Sequence, residues 1–271
     1  MTHPRGAGNE ADAREGRPSL AAREIPLPRF QDQTADWLEL ASQQHTMYAL
    51  IEVDVTVARD AIRRFRARSG RPLAFNAYLV GCFARAIDED KRVAALRHGR
   101  RRLLVFDDVD IAMPIEHDLE DDAIPVPLVV RRANHKTVDA ISAEIDQGVR
   151  GPVPYQAGRR LLPIWLLMPA WLRRRLLAML LADGYRRKRL IGTALVSAVG
   201  LPSRGWAWGV PSGTNYPLSM LIGSVRHGDD GRETVALTLT FDHDTVNGAP
   251  AARFVRRFAR LVESGSLTEE A

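Results

Sequence analysis

Residues 240–261 read TFDHDTVNGAPAARFVRRFARL and join a strand-like run to a helix-like run. The residues that lead up to them alternate between apolar and polar, as in a β-strand, and those after Gly248 repeat apolar side chains at the spacing of an α-helix. His243, Asn247 and Gly248 lie between the two runs. A single histidine at the end of a strand is usually a structural residue, so its position alone assigns it no chemistry.

The composition is that of a globular protein. The 271 residues are 45% hydrophobic and 26% charged, which suits one large domain or two small ones. The net charge is +5 and the pI is near 9.8, because arginine is abundant and lysine almost absent. The single cysteine, Cys82, excludes a disulfide framework and a thiol pair for a metal. We therefore expect a cytoplasmic protein.

The first residues differ in composition from the rest of the chain. Residues 1–24 are polar and rich in Gly, Ala and Arg, and they contain no apolar core of a signal peptide. We predict that residues 1–24 are a disordered leader. The folded domain is expected to cover residues 25–271.

Periodic patterns predict helices and strands in mixed order. Some segments repeat apolar residues at helical spacing, and others are rich in β-branched residues and alternate between apolar and polar side chains. The two kinds of segment follow one another in no regular order. Because no regular β-α-β repeat is visible, an α+β fold with a mixed sheet is predicted. Helices are predicted within residues 30–44, 57–70, 73–90, 136–149 and 249–265, and strands within 47–56, 92–117, 123–134, 192–200, 216–227 and 233–243.

Residues 151–190 break this pattern because they are both apolar and rich in arginine. The apolar stretch LLPIWLLMPAWL is shorter than the about 20 residues that span a bilayer, and Arg173, Arg174 and Arg175 follow it directly. We predict an insertion that packs over the protein's own body or covers an apolar acceptor channel. A helix that lies on a membrane surface is the alternative.

The closing stretch resembles the C-terminal signature of the 2-oxoacid dehydrogenase acyltransferases (E2) and of chloramphenicol acetyltransferase. The shared elements are a histidine, three variable residues, an acidic or amide residue, and a glycine before the last helix. The resemblance continues in order through residues 109–145, GTALVSAVG at 192–200 and YPLSMLIGSV at 216–225, and it covers about Ile25 to Glu263. It implies a chloramphenicol acetyltransferase-like fold, with a mixed β-sheet and flanking helices, and a homotrimer.

The resemblance also implies roles for individual residues. His243 would be the general base, a task that suits imidazole because its ordinary pKa is about 6.5. Ser197 would donate a hydrogen bond to the oxyanion of the tetrahedral intermediate, a contribution of about 3 kcal/mol in other acyl-transfer enzymes. In the family the two residues come from neighbouring subunits. Asn247 completes the candidate catalytic set, and Gly248 is expected to permit a tight turn.

Two positions depart from the family pattern. Asn247 stands where the family commonly has an aspartate, and Gln31 stands where the family has the arginine that pairs with it. We expect a hydrogen bond between the two amides to replace that salt bridge. The alternative is a site that has lost its activity, in an E2-like scaffold or assembly protein. Asp244 occupies a position where dehydrogenase cores often have arginine. The substrate preference of those cores is therefore not assumed for this protein.

The sequence contains no lipoyl domain with its exposed lysine and no subunit-binding module. We therefore expect a stand-alone acyltransferase that binds no cofactor and takes its acyl group from acetyl-CoA, another acyl-CoA or an acyl carrier protein. The expected acceptor is a hydroxyl of a small molecule, because stand-alone relatives occur in antibiotic and other specialised-metabolite pathways such as tetronate assembly. No metal site and no nucleic-acid partner is expected, because the histidines lack metal spacing and the basic runs at 97–102 and 185–190 lack interleaved aromatics.

Overall fold

The computed structural model describes residues 22–27, 31–99, 101–119, 122–151, 164–165, 167–198 and 206–268, and the side chains of residues 116–126 are not included. Most of the predicted leader, residues 1–21, lies outside the described residues. Residues 22–27 contain neither helix nor strand.

Outside residues 151–190, helices and strands occur where the periodic patterns predict them, except that the predicted strands within 92–117 form a short hairpin and then a separate long strand. Two helices that the patterns did not predict form within residues 170–191. The strands are β1 (Thr46–Asp54), β2 (Leu96–His98), β3 (Arg102–Leu104), β4 (Ile111–Leu119), β5 (Asp122–Val130), β6 (Ala194–Ala198), β7 (Leu218–His227) and β8 (Glu233–Asp242), and the helices are α1 (Gln31–Ala41), α2 (Thr56–Ser69), α3 (Phe75–Glu89), α4 (Val138–Arg150), α5 (Ala170–Ala182), α6 (Gly184–Ile191) and α7 (Gly248–Ser264).

A six-stranded sheet forms the centre of the fold, with the strand order β1-β8-β7-β6-β4-β5. The pairs β4–β6 and β6–β7 are parallel, and the remaining pairs are antiparallel. The hairpin of β2 and β3 forms a second, two-stranded sheet. The predicted α+β fold with a mixed sheet and flanking helices is confirmed.

The hydrophobic core lies between the sheet and helices α3 and α7. Phe241 of β8 and Phe83 of α3 each meet Phe254 of α7 edge to face, with ring centroids 5.8 Å apart, and all three side chains are fully buried. Such contacts are a preferred geometry for aromatic pairs. Cys82 is also completely buried in α3, and burial raises the pKa of its thiol to about 12.

The opposite face of β7 and β8 carries hydroxyl side chains and is covered by residues 206–217. Thr238 Oγ1 donates a hydrogen bond of 2.7 Å to the carbonyl of Gly209, and the buried hydroxyls of Ser219 and Thr240 bond to each other. Buried polar groups need such partners. The apolar residues of β8 thus face helices α3 and α7, and its hydroxyl residues face residues 206–217.

The predicted insertion packs against α1 through a buried ion pair. Asp36 of α1 is only 1% exposed, and its carboxylate accepts hydrogen bonds of 2.6 Å from Arg173 Nε and 2.9 Å from Arg174 Nε. Arg173, which is 7% exposed, also donates to the carbonyl of Met168. Helix α5 is therefore fixed to the body of its own chain. Within the described ranges, no helix has the length and apolar character that crossing a membrane requires.

Helix α6 is attached to the start of β4. The buried carboxylate of Asp110 lies 3.0 Å from Arg131 Nη1 and 3.5 Å from Lys188 Nζ of α6. The chain returns to the sheet at Gly192, whose φ is 84°. A Cβ at this position would lie 2.7 Å from the carbonyl oxygen of Asp110, so only glycine fits this junction.

We predict that Asp36→Ala lowers the free energy of unfolding by about 3 kcal/mol, because it leaves Arg173 buried without its partner. Denaturant unfolding measures this loss. Hydrogen exchange in residues 170–182 should rise most, since α5 loses its attachment to α1.

Asp32→Ala is the matched control. Asp32 lies in the first turn of α1 and is exposed, so its replacement should change stability by less than about 0.5 kcal/mol. Equal effects of the two substitutions would show that the buried ion pair does not hold α5.

Candidate active site

His243 lies in the turn that joins β8 to α7. The carboxylate of Asp242 accepts a hydrogen bond of 3.0 Å from the backbone N–H of Asp244. Its carbonyl accepts two more, each of 3.0 Å, from the N–H groups of Thr245 and Val246. Such side-chain and backbone bonds define a local turn. The backbone that carries His243 is therefore fixed within the turn itself.

Neighbouring elements hold this turn from both sides. The N–H of His243 donates to the carbonyl of His45 over 2.8 Å, and the N–H of Asp242 donates to the carbonyl of Pro217 over 2.9 Å. The His243 side chain is exposed, and its ring forms no hydrogen bond to any residue that the structure describes. The result is a rigid backbone that presents an unpartnered imidazole.

Two residues that sequence reasoning missed surround Asp244. Its carboxylate lies 3.0 Å from His45 Nδ1 and 3.7 Å from Arg97 Nη1. All three side chains are exposed, and His45 is the most exposed at 79%. Asp244 therefore places a carboxylate, next to His45 and Arg97, at a position where the family often has an arginine.

The pairing of β1 with β8 would have revealed His45. Thr46 pairs with Asp242 in an antiparallel register, which places His45 beside His243. This contact joins residues almost 200 positions apart, and neither periodicity nor local motifs contain it. Knowledge of the strand pairing was the missing signal.

A half-buried arginine of α6 holds the segment that leads into β7. Arg187 Nη2 donates to the carbonyl of Asn215, and Asn215 Nδ2 donates to the carbonyl of Trp37 in α1 over 2.8 Å. The buried Nε atom of Arg187 has no hydrogen-bond partner within the described part of the chain, and burial lowers the pKa of the guanidinium. Helices α1 and α6 thus meet at the segment that precedes β7. The basic run at 185–190 thus belongs to a helix, and its Arg187 makes an internal contact.

Asp242 is half-buried beneath the turn. Burial raises the pKa of its carboxyl above the ordinary value of 3.8, and the nearby Asp244 adds to this effect. Hydrogen bonding from the Asp244 N–H and the charges of Arg187 and Arg97 oppose it. The ionised form of Asp242 is therefore less favourable in the folded protein than in water.

Ser197 lies too far away to act with His243 in the same chain. It is half-buried on β6 and pairs with Leu221 of β7, whereas Phe241, at the end of β8, pairs with Leu218. Ser197 and His243 are two strands and about five residues apart, which corresponds to about 15–20 Å at ordinary strand spacings. The protomer does not bring the two candidate residues together.

Asn247 stands immediately before α7, at its N-cap position. The side chain is exposed and forms no capping hydrogen bond. The expected hydrogen bond between Asn247 and Gln31 is not formed in the described protomer. Helix α1, which begins at Gln31, is held instead through Asp36 and the carbonyl of Trp37.

The expected role of Gly248 is also wrong. Its φ is not positive, and a Cβ there would meet no described atom within 4 Å, so the turn does not require glycine. Gly248 instead borders an apolar groove of about 400 Å³ between β1 and α7, lined also by Met47, Phe241, Ala251 and Val255. The part of the chain that the structure describes holds no cluster of three potential metal ligands.

We predict that Asp242→Asn stabilises the protein at pH 7, because the amide keeps the acceptor for the Asp244 N–H without a desolvated charge. A raised carboxyl pKa means that the folded state loses stability, relative to the unfolded state, as the pH rises from about 4 through the folded pKa. The stabilising effect should therefore disappear below about pH 4. Thermal unfolding from pH 3 to pH 8 measures it.

Asp54→Asn provides a control of opposite sign. Hydrogen bonds from Thr56 lower the pKa of the Asp54 carboxyl, so its charge contributes stability that is present above the ordinary pKa and lost as the pH falls through the folded value. This substitution should destabilise the protein at pH 7 and have little effect near pH 2. The proposed desolvation of Asp242 fails if both variants follow the same pH profile.

Comparison with known proteins places this geometry in a known fold. Neither a family model nor a curated protein matches the sequence. Among solved structures, a probable dihydrolipoamide acetyltransferase from Listeria monocytogenes is 18% identical, with a TM-score of 0.64 over 91% of this chain and 96% of that one. Chloramphenicol acetyltransferase is 16% identical, with a TM-score of 0.52 over 89% of this chain and 95% of that one.

A third structure is that of the dihydrolipoamide acetyltransferase of Azotobacter vinelandii, which is 17% identical and has a TM-score of 0.65 over 97% of both chains. That structure concerns the roles of a serine, a histidine and an asparagine in the catalytic mechanism, and the asparagine lies four positions after the histidine. The likeness in fold that the closing sequence stretch implied is confirmed. The chain has the chloramphenicol acetyltransferase-like fold that is shared by the catalytic cores of E2 acyltransferases.

Proposed function

We propose that the protein is an acyltransferase in which His243 is the general base. The observation that carries this proposal is the exposed imidazole, which has no hydrogen-bond partner among the residues that the structure describes, on a backbone fixed by the carbonyls of His45 and Pro217. A structural histidine normally has its ring hydrogen-bonded or packed. An imidazole that is held at a defined place and left unpaired is suited to accept a proton from a substrate.

The proposed reaction uses the side chains in sequence. His243 takes the proton of an acceptor hydroxyl as its oxygen attacks the carbonyl carbon of a thioester. The tetrahedral intermediate then collapses, the carbon–sulfur bond breaks, and the leaving thiolate takes the proton from His243. A base contributes about 10²–10⁴-fold to such a rate, and one oxyanion donor about 10²–10³-fold.

We assign the oxyanion donor to Ser197 of a neighbouring subunit. The distance of about 15–20 Å within one protomer, estimated from strand spacings, excludes direct cooperation in the same chain. A cyclic homotrimer would instead pair each His243 with the Ser197 of the next subunit, because head-to-tail interfaces repeat one contact around a ring.

Asn247 supports an active enzyme rather than an inactive scaffold. In the Azotobacter enzyme an asparagine at the same spacing after a histidine is studied for its role in catalysis. The Asn247 amide is exposed and is not used for capping, so it remains available to the site. The replacement of the family's common aspartate is therefore compatible with activity.

The finer parts of the proposal concern the substrates. The donor is acetyl-CoA, another acyl-CoA or an acyl carrier protein, and no bound cofactor takes part. The acceptor is the hydroxyl of a small molecule in specialised metabolism, such as a tetronate intermediate. The apolar groove beside Gly248 supports an acceptor with an apolar portion, because its lining offers mostly aliphatic and aromatic side chains.

We predict that His243→Ala and Ser197→Ala are each nearly inactive and that mixed trimers of the two regain activity. When the subunits assort at random, about one quarter of the sites combine an intact His243 with an intact Ser197. The activity should therefore return to about one quarter of the wild-type value. Co-expression with two affinity tags yields the mixed trimers, and release of free CoA from acetyl-CoA measures the rate.

The separately purified variants, mixed without exchange of subunits, are the control and should stay inactive. Sedimentation velocity of each variant should give the wild-type trimer, which separates loss of chemistry from loss of assembly. A fully active monomer would contradict the shared site, and near-wild-type turnover by His243→Ala would contradict the base. No acetyl-CoA turnover by the wild type with a panel of hydroxyl acceptors would favour the scaffold.

A further inference from the structure

The outer face of α5 is apolar and exposed. Trp171, Arg175, Ala178, Met179 and Ala182 follow the spacing of one helix face, and all five are exposed. Trp171 is 67% and Met179 59% exposed. The opposite side of the helix carries the buried ion pair to Asp36, so this face points away from the body.

The residues just before α5 continue the exposed apolar surface. Leu167 is 85% exposed and Ile164 is 60% exposed. Large side chains with this degree of exposure cost free energy in water, and their concentration in one segment marks an interaction surface. We call Ile164, Leu167 and the outer face of α5 the apolar ridge.

Positive charge accompanies the apolar ridge. Residues 167–191 contain seven basic side chains and one acidic side chain. Arg175 on the ridge and Arg186 and Arg189 on α6 are exposed. Among the described residues none of the three forms a salt bridge, although the charge of Arg186 acts on the nearby Asp183. On α6 these arginines share one exposed face with Tyr185 and Leu190.

This combination favours an anionic lipid surface as the occupant. A second copy of the same ridge would bring like charges together, which is unfavourable. A folded protein partner would require a polar rim with directional hydrogen bonds, yet Trp171 and Arg175 are the only hydrogen-bonding side chains on the outer face of α5. Tryptophan, arginine and long aliphatic side chains together are typical of helices at membrane interfaces.

We propose that the apolar ridge binds the surface of bilayers that contain anionic phospholipids. Helix α5 has 13 residues and is about 20 Å long, which is shorter than the hydrocarbon core of about 30 Å. It therefore lies along the surface, with Trp171 and Met179 at the boundary of the acyl chains. Arg175, Arg186 and Arg189 then contact the phosphates of the head groups. This inference does not depend on the proposed acyl transfer.

Vesicle co-sedimentation of the full-length protein tests the proposal. Vesicles that contain phosphatidylglycerol should bind it at least about tenfold more tightly than vesicles of phosphatidylcholine alone, since each arginine near an anionic surface adds electrostatic attraction. High salt should weaken this preference. Equal binding to both vesicle types, or no binding to either, would overturn the proposal.

Variants separate the ridge from the rest of the surface. Trp171→Glu with Met179→Glu should lower binding at least about tenfold, because the apolar contact is lost. Val57→Glu with Val149→Glu is the matched control, since these valines are similarly exposed at 53% and 50% on α2 and α4. The control should bind like the wild type.

Two results with these variants would count against a lipid surface. Equal loss of binding in the test and the control pair would show that added negative charge alone is responsible. A change of oligomeric state in the Trp171→Glu, Met179→Glu protein, measured by sedimentation velocity, would assign the ridge to contacts between copies of the chain.

Discussion

The position of β8 between β1 and β7 is the constraint on which the candidate site depends. β8 pairs with β1 along nine consecutive residues and with β7 from Leu218 onward. A shift of one residue would move Leu237, Leu239 and Phe241 out of the core, so the hydrophobic effect fixes the register. Because the register is fixed, the position of the last residues of β8 is fixed as well. His243 is therefore positioned by the core of the protein rather than by contacts of its own side chain.

Helices α5 and α6 of the insertion contact the body of the protein on one side and are exposed on the other. Arg187 reaches from α6 to the carbonyl of Asn215, and Asp36 holds α5 on α1. Both contacts are made from the side of the helices that faces the body. Buried and half-buried polar groups thus attach the insertion to the body, while large apolar side chains such as Trp171 and Met179 stay exposed. An ordinary surface helix instead buries its large apolar residues.

The sequence predicted local features better than distant ones. Periodicity located the helices and strands outside the insertion, and α2 ends at Gly70 in the left-handed conformation that glycine adopts readily. The surroundings of the turn that carries His243 were not predictable in this way, because His45, Arg97 and Arg187 approach that turn through strand pairing and tertiary packing. The resemblance predicted the fold and the candidate residues. It did not predict the behaviour of Gln31, because an exchange of two paired residues does not guarantee that their replacements still meet.

The burial of Cys82 makes the chain its own reporter of unfolding. A thiol reacts through its thiolate, and with a pKa of about 12 and no accessible surface this group is almost inert in the folded protein. It becomes reactive only when α3 separates from the sheet and α7, which amounts to opening of the core. The rate at which a disulfide reagent labels the unmodified protein therefore measures how often the whole domain opens, with no engineered probe.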